Sequence, residues 1–306
     1  MLTGVAPEAS GSVSRSGCRI AWQEFGSGDE CVLLLPTWSI VHSDFWRHQV
    51  PVLAERYRVL AFDGLGNGAS DRPTDPELYA DLAVVEDAIS VLDAAAVQRT
   101  AVIGVSAGGA WALALAALHP ERVRAAVFIA PHVLLAPPHP ERAAAGAAFD
   151  DVLPEHHGWQ KWNRRYWLEH YEDFLRFFFS QCFTEPDSDE QIDHFVGMGL
   201  ETTPEVLLAT GGTADNGLTA EASRDLALAL DVPSLVLHGD RDAITPLARG
   251  QALADLSGAE MVVLHGSGHE PQCRAPDLTN ELILRFLDRT LEVPDDPHGP
   301  RRARPT

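Results

Sequence analysis

Between residues 31 and 264 the chain repeats one rhythm: a short unbroken apolar run, a polar turn, then a longer stretch with helical periodicity. "CVLLLP", "RVLAFD", "TAVIGV", "VRAAVFIAP", "PSLVLHG" and "EMVVLHG" are predicted as buried strands, and "CRIAWQEFG" as a strand before the turn "SGDE". "YADLAVVEDAISVLDAAA", "GGAWALALAALHP", the segment around "ARGQALADLS" and "DLTNELILRFLDRTL" are predicted helices. "DFWRHQVPVLAERY" also reads as one helix, capped by Ser43 or Asp44. Strands without polar alternation, joined through helices, predict a mostly parallel sheet covered on both faces, an α/β fold.

The rhythm stops between about Pro131 and Asp225, where no strand pattern occurs. In "GWQKWNRRYWLEHYEDFLRFFFSQCF", Trp162, Tyr166, Phe174 and Phe178 recur at helical spacing, with His170 interrupting them. Trp167, Tyr171, Leu175 and Phe179 line the next face, and charged residues fall opposite. This predicts a single amphipathic helix with a wide aromatic stripe, inside a helical insertion. The expected organisation is a disordered tail over 1–10, a core over 11–132, a helical cap over 133–225, the rest of the core over 226–292, and a disordered tail over 293–306. Both tails are too poor in apolar residues to build a core.

Formal net charge is −21. Such a surface repels phosphate backbones and anionic bilayers, so nucleic acid and membrane partners are not expected, and the partner is a small-molecule substrate. The sequence leaves the oligomeric state open. The four cysteines, Cys18, Cys31, Cys182 and Cys273, are scattered, so neither a zinc site nor a disulfide framework is expected. The start "MLTGVAPEASGSVS" lacks the pattern of a secretory signal, and no apolar run is long enough to cross a bilayer, which makes the cytoplasm the expected location.

Candidate chemistry begins at Gly104-Val105-Ser106-Ala107-Gly108, at the change from strand to helix. Glycines there let strand and helix approach closely while the serine is held up in a tight turn. A serine hydroxyl attacks a carbonyl only with a base in reach, an acid orienting that base, and donors for the oxyanion. Downstream strand ends supply them: "LVLHGDRDAITP" offers Asp240 and Asp242, and "VVLHGSGHEPQCRAP" offers His265 and His269. His265 ends its strand and reads as structural, whereas His269 lies in the loop beyond.

These residues resemble the α/β-hydrolase fold superfamily, as a serine-nucleophile member with a helical cap, over nearly the whole chain between the tails. Gly104–Gly108 is similar to the nucleophile elbow, and Gly266-Ser267-Gly268-His269 to the histidine loop. Gly239 to Pro246 matches the acid loop Gly-x-x-Asp-x-x-x-Pro, which selects Asp242 over Asp240. "FDGLGNGASDRP" resembles the Asp-x-x-Gly-x-Gly-x-Ser stretch of many members. Where many members carry His-Gly after an early strand, this chain has Pro36-Thr37-Trp38. The resemblance implies a triad of Ser106, His269 and Asp242, an oxyanion hole from the Trp38 and Ala107 amides, and no metal or cofactor. Trp38, Trp162 and Tyr166 are the expected pocket residues.

The expected function is a serine hydrolase acting through an acyl-enzyme on a small apolar or aromatic carbonyl substrate, a carboxylic ester first. A C–C bond hydrolase, a lactonase or thioesterase, and a proline-iminopeptidase-like aminopeptidase remain open on the same fold. A cluster of cap carboxylates (Glu155, Glu169, Glu172, Asp173) keeps a substrate ammonium in view. A non-catalytic small-ligand receptor is the reading from another class, and turnover of an activated ester separates the two. A dinucleotide site at Gly64-Leu65-Gly66-Asn67-Gly68-Ala69 is disfavoured, because Pro73 and Pro76 follow where a helix would have to open.

Overall fold

The apolar runs become the centre of an eight-stranded sheet in a computed structural model that describes residues 5–211 and 217–291. In chain order the strands are β1 (Ala9–Arg15), β2 (Cys18–Phe25), β3 (Cys31–Leu34), β4 (Arg58–Phe62), β5 (Thr100–Val105), β6 (Val123–Ile129), β7 (Ser234–Gly239) and β8 (Glu260–Leu264). Their spatial order is β1-β2-β4-β3-β5-β6-β7-β8. The β1–β2 and β2–β4 pairs are antiparallel, and the others are parallel. The fold is therefore that of an α/β hydrolase: a mostly parallel sheet flanked by helices.

Alternation along each strand divides the core in two. On β5, Ala101, Ile103 and Val105 face one layer, and Val102 faces the other. The second layer is covered by α2 (Asp81–Ala94), α3 (Ala107–Leu118), α9 (Ala220–Ala229) and α10 (Leu247–Ser257). The first is covered by α1 (Val50–Ala54) and α12 (Pro276–Leu291), which follows the one-turn α11 (Pro271–Arg274). The first layer also takes in aromatics from the segment between β6 and β7, which holds α4 (Pro140–Ala147), α5 (Arg164–Glu169), α6 (Tyr171–Cys182), α7 (Asp189–Gly199) and α8 (Pro204–Ala209) before α9.

Five expectations about elements need correction. The N-terminal tail assigned to residues 1–10 overlaps β1, where Ala9 and Ser10 pair with Glu24 and Gln23. Residues 1–4, and the C-terminal tail over 293–306, lie outside the described residues. The single helix after β3 is instead a 3-10 turn at Ser43–Trp46 followed by α1. Pro51 lacks an amide proton and disfavours a helical residue before it, so it fits only the first turn of α1. The cap of the 3-10 turn is His42, whose Nδ1 accepts from the Asp44 amide at 3.4 Å, rather than Ser43 or Asp44.

The aromatic stripe is not one helix. A 3-10 turn (Gly158–Lys161) ends at Trp162, and Asn163 starts α5 by accepting from the amides of Arg165 and Tyr166. The chain breaks again at His170, with φ −141° and ψ 46°, before α6. The boundary drawn at residue 225 falls inside α9, which packs on α3 and α10 and so belongs to the core.

Candidate active site

Ser106 links β5 to α3 at φ 54° and ψ −118°, a left-handed conformation that costs a non-glycine residue about 1–3 kcal/mol. Its surroundings hold it there. The amide donates to Ile129 O at 3.0 Å, and the carbonyl accepts from the amides of Gly109 (3.0 Å) and His132 (2.8 Å). Glycine is required on both sides: a Cβ on Gly104 would lie 2.0 Å from Gly108 O, and one on Gly108 2.3 Å from Pro36 O. The Pro36-Thr37-Trp38 stretch is thus packed directly on the elbow.

Asp242 follows β7 and is fully enclosed. Its Oδ1 accepts from the amides of Ile244 and Thr245, both at 2.8 Å. Its Oδ2 accepts from His269 Nδ1 at 2.7 Å and lies 3.2 Å from His238 Nε2. Burial opposes the carboxylate charge, but the charge and hydrogen bond of His269 together with those of His238 hold its pKa well below the usual range. For His269, burial alone would lower the pKa, yet the Asp242 charge and hydrogen bond raise it above the ordinary value. The carboxylate fixes the proton on Nδ1 and leaves Nε2 as the basic nitrogen. Among the described residues the Ser106 hydroxyl makes no hydrogen bond.

The two loops are held by the cap as well as by the sheet. The His269 amide donates to Cys182 O at the end of α6, at 3.0 Å. Glu185 accepts from the Gly268 amide at 2.7 Å, and Thr184 donates to Arg241 O at 3.2 Å. The other two candidates pair with each other: His265 Nδ1 donates to Asp240 Oδ2 at 2.9 Å, at the surface. Asp240 also accepts from the Gly266 amide at 2.7 Å, so it ties the acid loop to the histidine loop.

Trp38 and Ala107 carry backbone amides that donate to nothing among the described residues. The Trp38 indole donates to Thr210 Oγ1 at 2.7 Å and packs on Trp162 (5.5 Å between centroids), Trp167 (5.8 Å) and Phe178 (5.3 Å). Trp162 is thereby brought to Trp38, but Tyr166 is not. Past the break at Asn163, Tyr166 is half-buried; it stacks on His156, lies tilted against His170 and donates to Asp173 Oδ2 at 2.6 Å. Two open grooves, of about 540 and 380 Å³, have none of Ser106, Asp242 or His269 in their walls.

Several residues at the site carried no signal in the sequence. His238 is buried within its strand, and its Nε2 donates to Thr245 O at 3.0 Å. Glu270 adjoins His269, with a pKa raised by burial against the pull of the His269 charge. His132, whose amide donates to the Ser106 carbonyl, has an imidazole held well below its ordinary pKa by burial and by Arg249 and Arg142. Arg142, Arg249 and Trp167 look like ordinary helix residues in sequence; only the fold gathers them.

The glycine loop Asp63–Ala69 serves structure. The Asp63 carboxylate accepts from the amides of Ser43 and Ala69, and Asn67 Nδ2 donates to Ser39 O and to Met198 O of α7, both at 3.1 Å.

Residues 31–276 match the alpha/beta hydrolase fold family, and the chain belongs to that family of hydrolases. It is 30% identical over 232 residues to the 2-hydroxymuconate semialdehyde hydrolase of Pseudomonas putida, covering 75% of this chain and 76% of that one. Its match to the enzyme of that name from Pseudomonas sp. (strain CF600) is 35% identical but spans only 40% of this chain and 44% of that one. It is also 30% identical over 269 residues to the pimeloyl-[acyl-carrier protein] methyl ester esterase of Neisseria meningitidis serogroup A, covering 84% and 78%. Among solved structures, Est816, described as an N-acyl homoserine lactone degrading enzyme, superposes with a TM-score of 0.73 at 26% identity, covering 90% of this chain and 100% of that one. No helix among the described residues is long and apolar enough to cross a membrane.

Proposed function

We propose that this hydrolase uses Ser106 as nucleophile, His269 as base and Asp242 as the acid that orients it. His269 Nε2 takes the Ser106 proton as the oxygen attacks a substrate carbonyl. The amides of Trp38 and Ala107 receive the developing oxyanion. The imidazolium, stabilised by Asp242, then protonates the leaving group, and water, activated by the same nitrogen, releases the acyl group. The chemistry is complete with these side chains and amides. The observation that carries the reading is the enclosed Asp242–His269 pair at 2.7 Å, together with a serine held in a left-handed turn.

The substrate we propose is a small carboxylic ester with an apolar or aromatic part. The aromatic cluster around Trp38 and Trp162 supports it, as do relatives named for a methyl ester and a lactone. A second reading, C–C bond hydrolysis through the same triad, is favoured by the similarity to 2-hydroxymuconate semialdehyde hydrolase. The four free thiols support a reducing compartment, and we place the enzyme in the cytoplasm. A fluorophosphonate probe should label the wild type once and leave Ser106→Ala unlabelled; labelling of the alanine variant would overturn the assignment. Turnover of matched esters, lactones and vinylogous diketones then separates the substrate classes.

A further inference from the structure

A protein with net charge −21 keeps two guanidinium groups in the field of its candidate acid, and among the described residues neither has an anion to pair with. Arg142 of α4 and Arg249 of α10 lie within the electrostatic reach of Asp242. Among the described residues no carboxylate comes within ion-pair distance of either. Asp242 itself is fully engaged by two histidines and two amides. Arg249 is buried, with Nε donating to Ala136 O at 2.9 Å and Nη1 to His132 Nδ1 at 3.3 Å. Burial and its neighbour Arg142 push the Arg249 pKa down to about 10.

Arg142 is different, because part of it is left free. Its Nη1 donates to Ile244 O in the acid loop at 2.7 Å. Its guanidinium lies 5.1 Å from the Trp159 ring centroid and 5.3 Å from that of Trp162, the ring that packs on Trp38. Nε and Nη2 bond to nothing among the described residues, yet they are not among the sealed polar atoms, so this edge opens onto accessible space. An enclosed cation without a counter-ion is costly, and two indole faces offset only part of that cost. A free guanidinium edge matches the two oxygens of a carboxylate, as a fork of parallel hydrogen bonds.

We infer that Arg142 is a specificity-determining residue, binding a carboxylate that the substrate carries away from the carbonyl under attack. This deepens the hydrolase reading and rests on it. The substrate class becomes an anionic carbonyl compound whose apolar spacer lies against Trp159 and Trp162. The uncompensated positive field of Arg142 and Arg249 draws that anion into a protein whose overall charge would repel it.

The test measures binding, so it does not depend on turnover. 3-Phenylpropionate and its neutral isostere 3-phenylpropanamide are titrated into the full-length protein, with the fluorescence of the stacked tryptophans as signal. The wild type should bind the carboxylate at least about tenfold more tightly than the amide. Added salt should weaken carboxylate binding alone, a reading that needs no variant. Arg142→Gln should abolish the difference, and Arg142→Lys should keep part of it. Equal affinity of the two ligands in wild type, or a preference that survives in folded Arg142→Gln, overturns the inference. Probe labelling of Ser106 without a carboxylate preference sinks the arginine site alone, whereas carboxylate binding without labelling sinks the Ser106 nucleophile reading.

Discussion

Asp242→Asn exchanges one carboxylate oxygen for an NH2 group, and the surroundings decide which one. Two main-chain amides, of Ile244 and Thr245, point at Oδ1 from 2.8 Å and can only donate, so the asparagine oxygen stays there. The NH2 must then take the place of Oδ2, facing His269 Nδ1 at 2.7 Å and His238 Nε2 at 3.2 Å. His238 already presents its Nε2 proton to Thr245 O, so donor meets donor on that side. On the other side, His269 can accept from the amide only with its proton moved to Nε2, the nitrogen that has to take the serine proton. The base is thus locked in the wrong tautomer. The same exchange in a serine-protease triad costs about 10⁴ in kcat, or roughly 5 kcal/mol of transition-state stabilisation. Asp240→Asn is the control: its oxygen can still accept from Gly266, and only an exposed contact to His265 is lost. The assay is kcat of both purified variants on an aryl ester at neutral pH, with circular dichroism to establish the fold. Folded Asp242→Asn within about tenfold of wild type, with the large loss at Asp240→Asn instead, would refute the reasoning.

Two more expectations follow from the same geometry. Because Asp242 raises the His269 pKa, and protonation removes the base, kcat/KM should fall as pH drops, with its midpoint above the ordinary histidine value; a midpoint below it contradicts the pairing. Gly108→Ala brings a Cβ to 2.3 Å from the Pro36 carbonyl, so Tm should drop by the equivalent of about 1–3 kcal/mol and probe labelling of Ser106 should fall; unchanged Tm and labelling would show that the loop yields freely.

The central strands were legible because each is buried on both faces, which leaves a run of apolar residues with no polar alternation. β1 was not, because "ASGSVSR" is a largely exposed edge strand whose pairing with β2 comes from main-chain hydrogen bonds. The elbow was legible for a steric reason: Gly104 and Gly108 stand where a Cβ would strike backbone. Helical periodicity misled at "WNRRYWLEHYEDF", since spacing does not register that Asn163 restarts the helix and His170 breaks it. The consequence reaches the site, because the breaks separate Tyr166 from Trp162. Arg142 left no trace for another reason. An arginine near the start of a short helix reads as solvated, and only the packing of Trp159, Trp162 and the acid loop encloses it.

The bond from the His269 amide to Cys182 O makes the histidine a passenger of the insertion. Gly268 is pressed against the same carbonyl, 2.8 Å from where a Cβ would stand, and Glu185 holds the loop through the Gly268 amide. Caps of this kind invite treatment as interchangeable modules, to be swapped when a new substrate is wanted. Here a graft that replaced α6 wholesale would remove the support of the base along with the old lining. Chimeras should therefore keep residues 182–185 and vary the segment around α4 and Trp159, where the cap meets the core through side chains. For the same reason, any breathing motion that admits substrate while keeping the base in place has to leave the end of α6 still.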